Sequence, residues 1–245
     1  MLPTPDTSHV SFTTIYEPAE DSFLLLDTLS SRTESAWLQN RFRHQTPLTV
    51  EIGTGSGVVI AFLTANAEHI FAKPILSLGV DVNLNACQAT KQTAQKAIKD
   101  QSSDSMYLDS INGDLCTALR PRSVDVLIFN PPYVPSESLP ELPGWISYRD
   151  EFERNSHLLA LTFDGGADGM EATNRLLEQT PHVLSSMGVA YVLLCAQNKP
   201  AEVKERIRQL PQGPWLVETV GVSGKQAGWE KLQIVRIWRE GASHG

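Results

Sequence analysis

The 245-residue chain contains three cysteines, Cys87, Cys116 and Cys195, scattered along its length and odd in number. That pattern argues against a disulfide framework and against a zinc site, and points to a reducing compartment with each thiol as a small buried residue. No run of eighteen apolar residues occurs and no apolar h-region stands at the start, so neither membrane spanning nor export is expected. The six histidines have no ligand spacing, so no metal is expected. Positive charge is also scarce, with 20 Lys and Arg against 28 Asp and Glu and a formal net charge of −8. The densest basic cluster is Arg41, Arg43 and His44, which a solvated loop explains. Proteins that bind duplex nucleic acid take most of their affinity from phosphate contacts. Direct nucleic-acid binding is therefore not expected, and no internal repeat stands out.

What is present suits one α/β domain with a full core: 245 residues of which 41% are hydrophobic. Apolar strands alternate with helical stretches from Leu48 to Leu210, the pattern of a parallel sheet covered by helices on both faces. Later strands read as 189–194, 215–220 and 232–238. The last two lack a helix between them and predict an antiparallel hairpin at one edge of the sheet. Residues 1–12 read as a mobile tail. Residues 13–245 read as a single domain, with a helical entry segment over 13–47 and the core over 48–240. Trp37, Trp215, Trp229 and Trp238 are assigned to packing, and Trp145, in a Pro-rich stretch, to the entrance of a site.

The most informative feature is Asn130-Pro131-Pro132-Tyr133, directly after the apolar run 124–129. Two prolines hold the turn rigid, and neither donates an N–H, so a neighbouring carbonyl is left free to accept. A side-chain amide, free carbonyls and a flat ring then meet at one point. Such a point holds a planar nitrogen, either an amide or an exocyclic amine, by its N–H groups and against the ring. A bare Pro-Pro turn after a strand would be the plainer reading, so the rest of the chain decides.

Leu48-Thr49-Val50-Glu51-Ile52 reads as a strand that leads through Gly53-Thr54-Gly55-Ser56-Gly57 into a helix expected over 58–70. Glycines permit positive φ and close approach of a ligand to the backbone. The spacing is Gly-x-Gly-x-Gly and not the dinucleotide Gly-x-Gly-x-x-Gly, and the Glu51 carboxylate would repel a pyrophosphate. A ligand with a cationic amino-acid end fits better beside Glu51, Gly53, Thr54 and Gly55. The next strand ends at Asp81, placed to accept from ribose hydroxyls or to cap the following helix. A third ends near Asp114-Leu115, where a carboxylate meets an amino group and the Leu115 side chain packs on a base. Alone, Asp114 would be a turn residue. In series, Glu51, Asp81, Asp114 and Asn130 each close one βα unit at the edge where open α/β sheets bind ligands.

With those motifs in place, the chain resembles the amino-type S-adenosylmethionine-dependent methyltransferases, which carry (Asn/Asp/Ser)-Pro-Pro-(Tyr/Phe/Trp). The segment Tyr16-Glu17-Pro18-Ala19-Glu20-Asp21-Ser22-Phe23-Leu24-Leu25-Leu26-Asp27 narrows this, because it resembles the entry segment of HemK-type release-factor glutamine methyltransferases of the eukaryotic and archaeal branch. Asp164-Gly165-Gly166-Ala167-Asp168-Gly169 and Lys225-Gln226-Ala227-Gly228-Trp229-Glu230 extend the similarity. The resemblance implies a Rossmann-like class I methyltransferase fold, with a seven-stranded, mostly parallel sheet, an antiparallel edge hairpin and helices on both faces.

It also implies an activity: N5-methylation of the glutamine in the Gly-Gly-Gln loop of the class 1 translation release factor, with S-adenosylmethionine as donor and S-adenosylhomocysteine as product. By motif position, Ser22 closes over the cofactor; many relatives carry Thr there, and the hydroxyl is kept. Glu51 and Gly53, within the loop that includes Thr54 and Gly55, hold the methionine portion, Asp81 the ribose, and Asp114 with Leu115 the adenine. Asn130 and Pro131 hold the reactive amide, with Pro132 and Tyr133 shaping its site. The stretch between Tyr133 and Ala160 is longer than the family pattern, and no lid role is carried over to it. The family further implies a small zinc-binding activator subunit paired along the third-strand edge, near Met106–Ile111, and a cytoplasmic or nuclear location. The alternatives from other classes are methylation of adenine N6 or of a lysine side chain, and a non-catalytic binding subunit.

Overall fold

The computed structural model describes residues 2–224 and 231–240. The helices α1 (Glu20–Leu29) and α2 (Arg32–Arg41) precede β1 (Leu48–Ile52), α3 (Val58–Ala65) and α4 (Ala67–Phe71). Then come β2 (Leu76–Asp81), α5 (Leu84–Asp100), β3 (Met106–Asn112), β4 (Val124–Phe129), α6 (Glu151–Ala160) and α7 (Glu171–Val183). The chain continues through β5 (Leu184–Cys195), α8 (Pro200–Arg208), β6 (Trp215–Val222) and β7 (Leu232–Arg239). The seven strands form one sheet in the order β3-β2-β1-β4-β5-β7-β6. Pairing is parallel from β3 to β5, and β7 is antiparallel to both β5 and β6. The mostly parallel sheet and the antiparallel edge hairpin are therefore as expected, with β7 inserted inside β6.

The strands are apolar because the sheet is covered on both sides. Alternation along β4 and β5 sorts their side chains into two layers. Leu127, Phe129, Ala190, Val192 and Leu194 pack with Leu176 and Leu177 of α7 and Val203 and Ile207 of α8. Val126, Ile128, Tyr191 and Leu193 face the opposite layer, with Leu25 and Leu29 of α1, Phe62 and Leu63 of α3, and Ile70 of α4. Fully burying such a side chain is worth about 1.5–3 kcal/mol, so both layers are needed for the fold. Cys87, Cys116 and Cys195 are buried and form no disulfide with one another.

One local expectation changes. The helix expected over 58–70 is broken at Asn66, whose side-chain N–H donates to the Phe62 carbonyl at 2.9 Å, and α4 restarts at Ala67. That local bond competes with helix continuation, a habit of Asn. Near the start of the chain, Val10 is buried with Ile15 and with Ala86 and Ala89 of α5, and Asp6 pairs with Lys96 of the same helix. Val10, Phe12 and Ile15 supply enough apolar surface to cover the small-residue face of that helix.

A buried polar cluster fixes the entry helices on the sheet. Arg236 of β7 donates to Glu34 of α2 at 2.8 Å, and the Tyr191 hydroxyl donates to the same carboxylate at 2.8 Å. The guanidinium lies 4.1 Å and 4.6 Å from the ring centres of Trp37 and Trp238. Burial, with Glu34 beside it, pushes the Tyr191 hydroxyl well above its usual pKa. Buried ion pairs contribute more to uniqueness of arrangement than to net stability, and this one ties α2 to β7. Lys225–Glu230, and with them Trp229, lie outside the described residues.

Candidate active site

Strand order reverses between β1 and β4, and a cavity of about 400 Å³ opens there at the carboxyl ends of the strands. That is the expected place for a ligand in an open α/β sheet, and the volume is in the usual range for a cofactor or drug-sized molecule. All the residues singled out from sequence border it: Ser22, Glu51, Gly53, Thr54, Gly55 and Asp81 on one side, Asp114 and Leu115 next, and the 130–133 turn opposite.

The first side is built by the glycine loop. Gly53, Gly55 and Gly57 have φ of +67°, +52° and +79°, conformations that a side chain would strain. Gly57 has a second reason, since a Cβ there would stand 2.6 Å from the Thr90 Cα on α5. Asp81 ties the loop down: one carboxylate oxygen accepts from Gly55 N–H at 2.9 Å and the other from Asn83 N–H at 2.8 Å. The cap of α5 is therefore Asn83, which accepts from Asn85 N–H, and Asp81 is left at the cavity wall. Glu51 is 2% exposed and accepts from Ile60 N–H at 2.9 Å. Burial pushes its carboxyl well above the usual range, and the nearby Asp81 charge adds to the effect. Asp81 is also raised by burial, against the backbone donors that oppose it. Two carboxylates kept in a dry wall favour a cation or a set of hydroxyl donors in the space before them.

Asp114 stands two residues beyond β3, and its side chain is paired with Arg175 of α7, another cavity residue. Leu115 has φ of +50°. A non-glycine residue held in that region costs about 1–2 kcal/mol, and Leu115 lies in the cavity wall.

The opposite side is the Asn130 turn. Asn130 donates through Nδ2 to the Asp21 carboxylate of α1 at 3.0 Å. Its Oδ1 is buried and has no hydrogen-bond partner among the described residues. An acceptor left unmatched beside a cavity costs the fold about 1–3 kcal/mol and is the mark of a group waiting for a donor. Asp21 is itself buried and held by Ser22, whose N–H donates to Oδ1 at 2.6 Å. The glycines of 164–169 brace this turn by backbone contact. Val134 N–H donates to the Phe163 carbonyl at 2.9 Å, and Gly165 N–H to the Val134 carbonyl at 2.8 Å. A Cβ on Gly165 would stand 2.6 Å from the Pro132 carbonyl, and one on Gly169 would collide with the Tyr133 carbonyl.

Leu139, Pro140 and Leu142 line the cavity mouth with Leu158 of α6 and with Leu161 and Phe163 just beyond it. Trp145, assigned to the entrance from sequence, has a side chain outside the described structure. Asp21 and Arg175 are the site residues that sequence reading passed over. Asp21 stood inside the Tyr16–Asp27 segment with no role of its own assigned, and nothing in its neighbourhood pointed to a partner 109 positions away.

No protein-family model matches the chain. It is 35% identical over 245 residues to the eRF1 methyltransferase catalytic subunit mtq2 of Schizosaccharomyces pombe, covering 98% of this chain and 97% of that protein. The chain belongs to the eRF1 methyltransferase catalytic-subunit family. Methyltransferase HEMK2 of Homo sapiens is 31% identical over 246 residues, covering 96% of this chain and 95% of that protein. Among solved structures, the E. cuniculi Mtq2–Trm112 complex, responsible for methylation of the eRF1 termination factor, superposes with a TM-score of 0.58 at 22% identity, covering 93% of this chain and 99% of that one. The fold is accordingly that of a class I Rossmann-like methyltransferase. The protein is a protein glutamine methyltransferase that uses a cofactor of the S-adenosylmethionine type.

Proposed function

We propose that this enzyme transfers a methyl group to the side-chain amide nitrogen of the glutamine in the Gly-Gly-Gln loop of the eukaryotic class 1 release factor. The observation that carries the reading is the buried Oδ1 of Asn130, a cavity-lining residue, which has no hydrogen-bond partner among the described residues. A primary amide brings two N–H donors in one plane, and Oδ1 with the Pro131 carbonyl offers two acceptors. The relatives named for eRF1 methylation support the same substrate.

The cavity's acidic, glycine-lined side fits S-adenosylmethionine. Glu51, Gly53, Thr54 and Gly55 would hold its cationic amino-acid end, Asp81 the ribose, Asp114 and Leu115 the adenine, and Ser22 would close over it. When bound, the cofactor supplies an electrophilic methyl and leaves as S-adenosylhomocysteine. The chain's own work is on the amide. A glutamine nitrogen is a poor nucleophile because its lone pair is delocalised into the carbonyl. Accepting both N–H bonds aligns that nitrogen and favours the positive charge that develops on it during transfer. Tyr133 would pack against the amide plane and keep water out. The alkylated amide is strongly acidic and passes its proton to a neighbouring acceptor, so no dedicated base is needed.

The partner we assign is a small zinc-binding activator subunit on the edge of β3, in the cytoplasm or nucleus. β3 is the outermost strand on its side, and Met106 and Leu108 on it are 57% and 46% exposed. Such an unpaired apolar edge is a template for strand addition. The test of the catalytic reading is Asn130→Ala, assayed by methyl transfer from labelled S-adenosylmethionine to release factor and by calorimetry. Turnover should vanish with cofactor affinity largely kept; turnover near wild type, or loss of cofactor binding, would overturn the role given to Asn130.

A further inference from the structure

Asn130 can present either end of its amide to the cavity, since the oxygen and the NH2 group are nearly isosteric. Only one end suits a substrate that brings N–H donors. We infer that Asp21 is the positioning residue that sets this choice, by accepting from Nδ2 so that Oδ1 faces the substrate. The inference rests on the proposed role of Asn130.

The geometry is one-directional. Asp21 Oδ2 stands 3.0 Å from Asn130 Nδ2, while Asp21 Oδ1 is occupied by Ser22, through its N–H at 2.6 Å and its hydroxyl at 3.3 Å. A carboxylate can only accept, so Asn130 must turn its NH2 toward α1 and its oxygen away from it. Both residues border that cavity. The two elements are joined only in the tertiary structure, with α1 packed against α3 and against β6 and β7 of the sheet.

An isosteric change then does more harm than a truncation. In Asp21→Asn the two Ser22 donors claim the new side-chain oxygen, which leaves its NH2 facing Asn130. Asn130 must flip to accept, and its own NH2 then meets the N–H groups of the substrate. In Asp21→Ala nothing holds Asn130, and the substrate selects the productive orientation. Both variants remove the same negative charge, so charge alone predicts equal losses.

The experiment measures kcat and KM of the full chain, with its activator subunit, on release factor, and the melting temperature of each variant. Asp21→Asn should fall below Asp21→Ala by roughly 10- to 100-fold in kcat, the range for facing two unmatched polar groups. Combining Asp21→Asn with Asn130→Asp should recover activity over either single change, because the new amide donates to a carboxylate that still offers an acceptor to the cavity. Equal kcat for Asp21→Asn and Asp21→Ala, or no recovery in the double variant, would overturn the inference. If Asn130→Ala itself keeps turnover, the role of Asn130 fails instead, so the two failures are told apart.

Discussion

Replacing Glu51 with Gln should make the ligand-free protein more stable and the cofactor complex weaker. Glu51 is buried with one backbone donor, from Ile60, set against it, and burial holds its pKa well above 4.5. For an acid whose folded pKa is raised, ionisation costs the folded state more than the unfolded chain. The cost begins as pH climbs through the unfolded value and is complete above the folded one. Gln keeps the shape and can still accept from Ile60, without the charge. Relief of a poorly matched buried group is worth about 1–3 kcal/mol, and each kcal/mol moves the melting temperature of a domain this size by about 2–4 °C. The gain should be largest near neutral pH and fade as pH falls through and below 4.5, where the carboxyl becomes protonated in the unfolded chain as well. The loss lies in binding: a charge-assisted contact to the cationic end of the cofactor is worth about 1.5–3 kcal/mol, which is roughly a 10- to 150-fold rise in Kd. Scanning calorimetry across pH and titration calorimetry with S-adenosylmethionine measure both sides. A melting temperature lowered by Glu51→Gln at neutral pH, or an unchanged cofactor Kd, would refute the reasoning.

The brace behind the Asn130 turn gives a second expectation. Gly169 combines φ of +67° with backbone contact to the Tyr133 carbonyl, so Gly169→Ala should cost stability by about 1–3 kcal/mol. It should lower kcat far more than it raises cofactor Kd, because the cofactor side of the cavity is built by other loops; equal damage to both would count against the brace. At the other end of the sheet, Leu108→Asp on the exposed edge should abolish co-purification with the activator while leaving the isolated chain's cofactor affinity within about twofold. Retained pairing, read by size-exclusion chromatography, would move the partner to another surface.

The sheet and the glycine loop were legible because their signals are local. Strand 124–129 alternates between two buried layers, so it reads as one apolar run, and positive φ at Gly53, Gly55 and Gly57 has a direct residue signature. The break at Asn66 was not legible, since the apolar spacing of 58–70 runs straight through it and a side-chain bond to Phe62 decides the matter. Residues 1–12 read as a tail because Pro and Thr surround Val10 and Phe12, whose packing beside α5 exists only in three dimensions. The site divides in the same way. Residues at strand ends could be placed in one cavity from topology alone. Asp21 and Arg175 could not, because their relevance lies in contacts to Asn130 and Asp114 across 109 and 61 positions. The glycines of 164–169 could be quoted as a pattern, but the pattern did not say that they clear space for the carbonyls of Pro132 and Tyr133.

The central claim is that the Asn130 pocket methylates a glutamine amide on a protein loop. The most direct measurement incubates the chain and its activator with labelled S-adenosylmethionine and class 1 release factor, then maps the methyl group by mass spectrometry. One methyl should appear on the glutamine of Gly-Gly-Gln, with none on a Gly-Gly-Ala substrate. A methyl on any other residue, or label retained by the Gly-Gly-Ala protein, would contradict it.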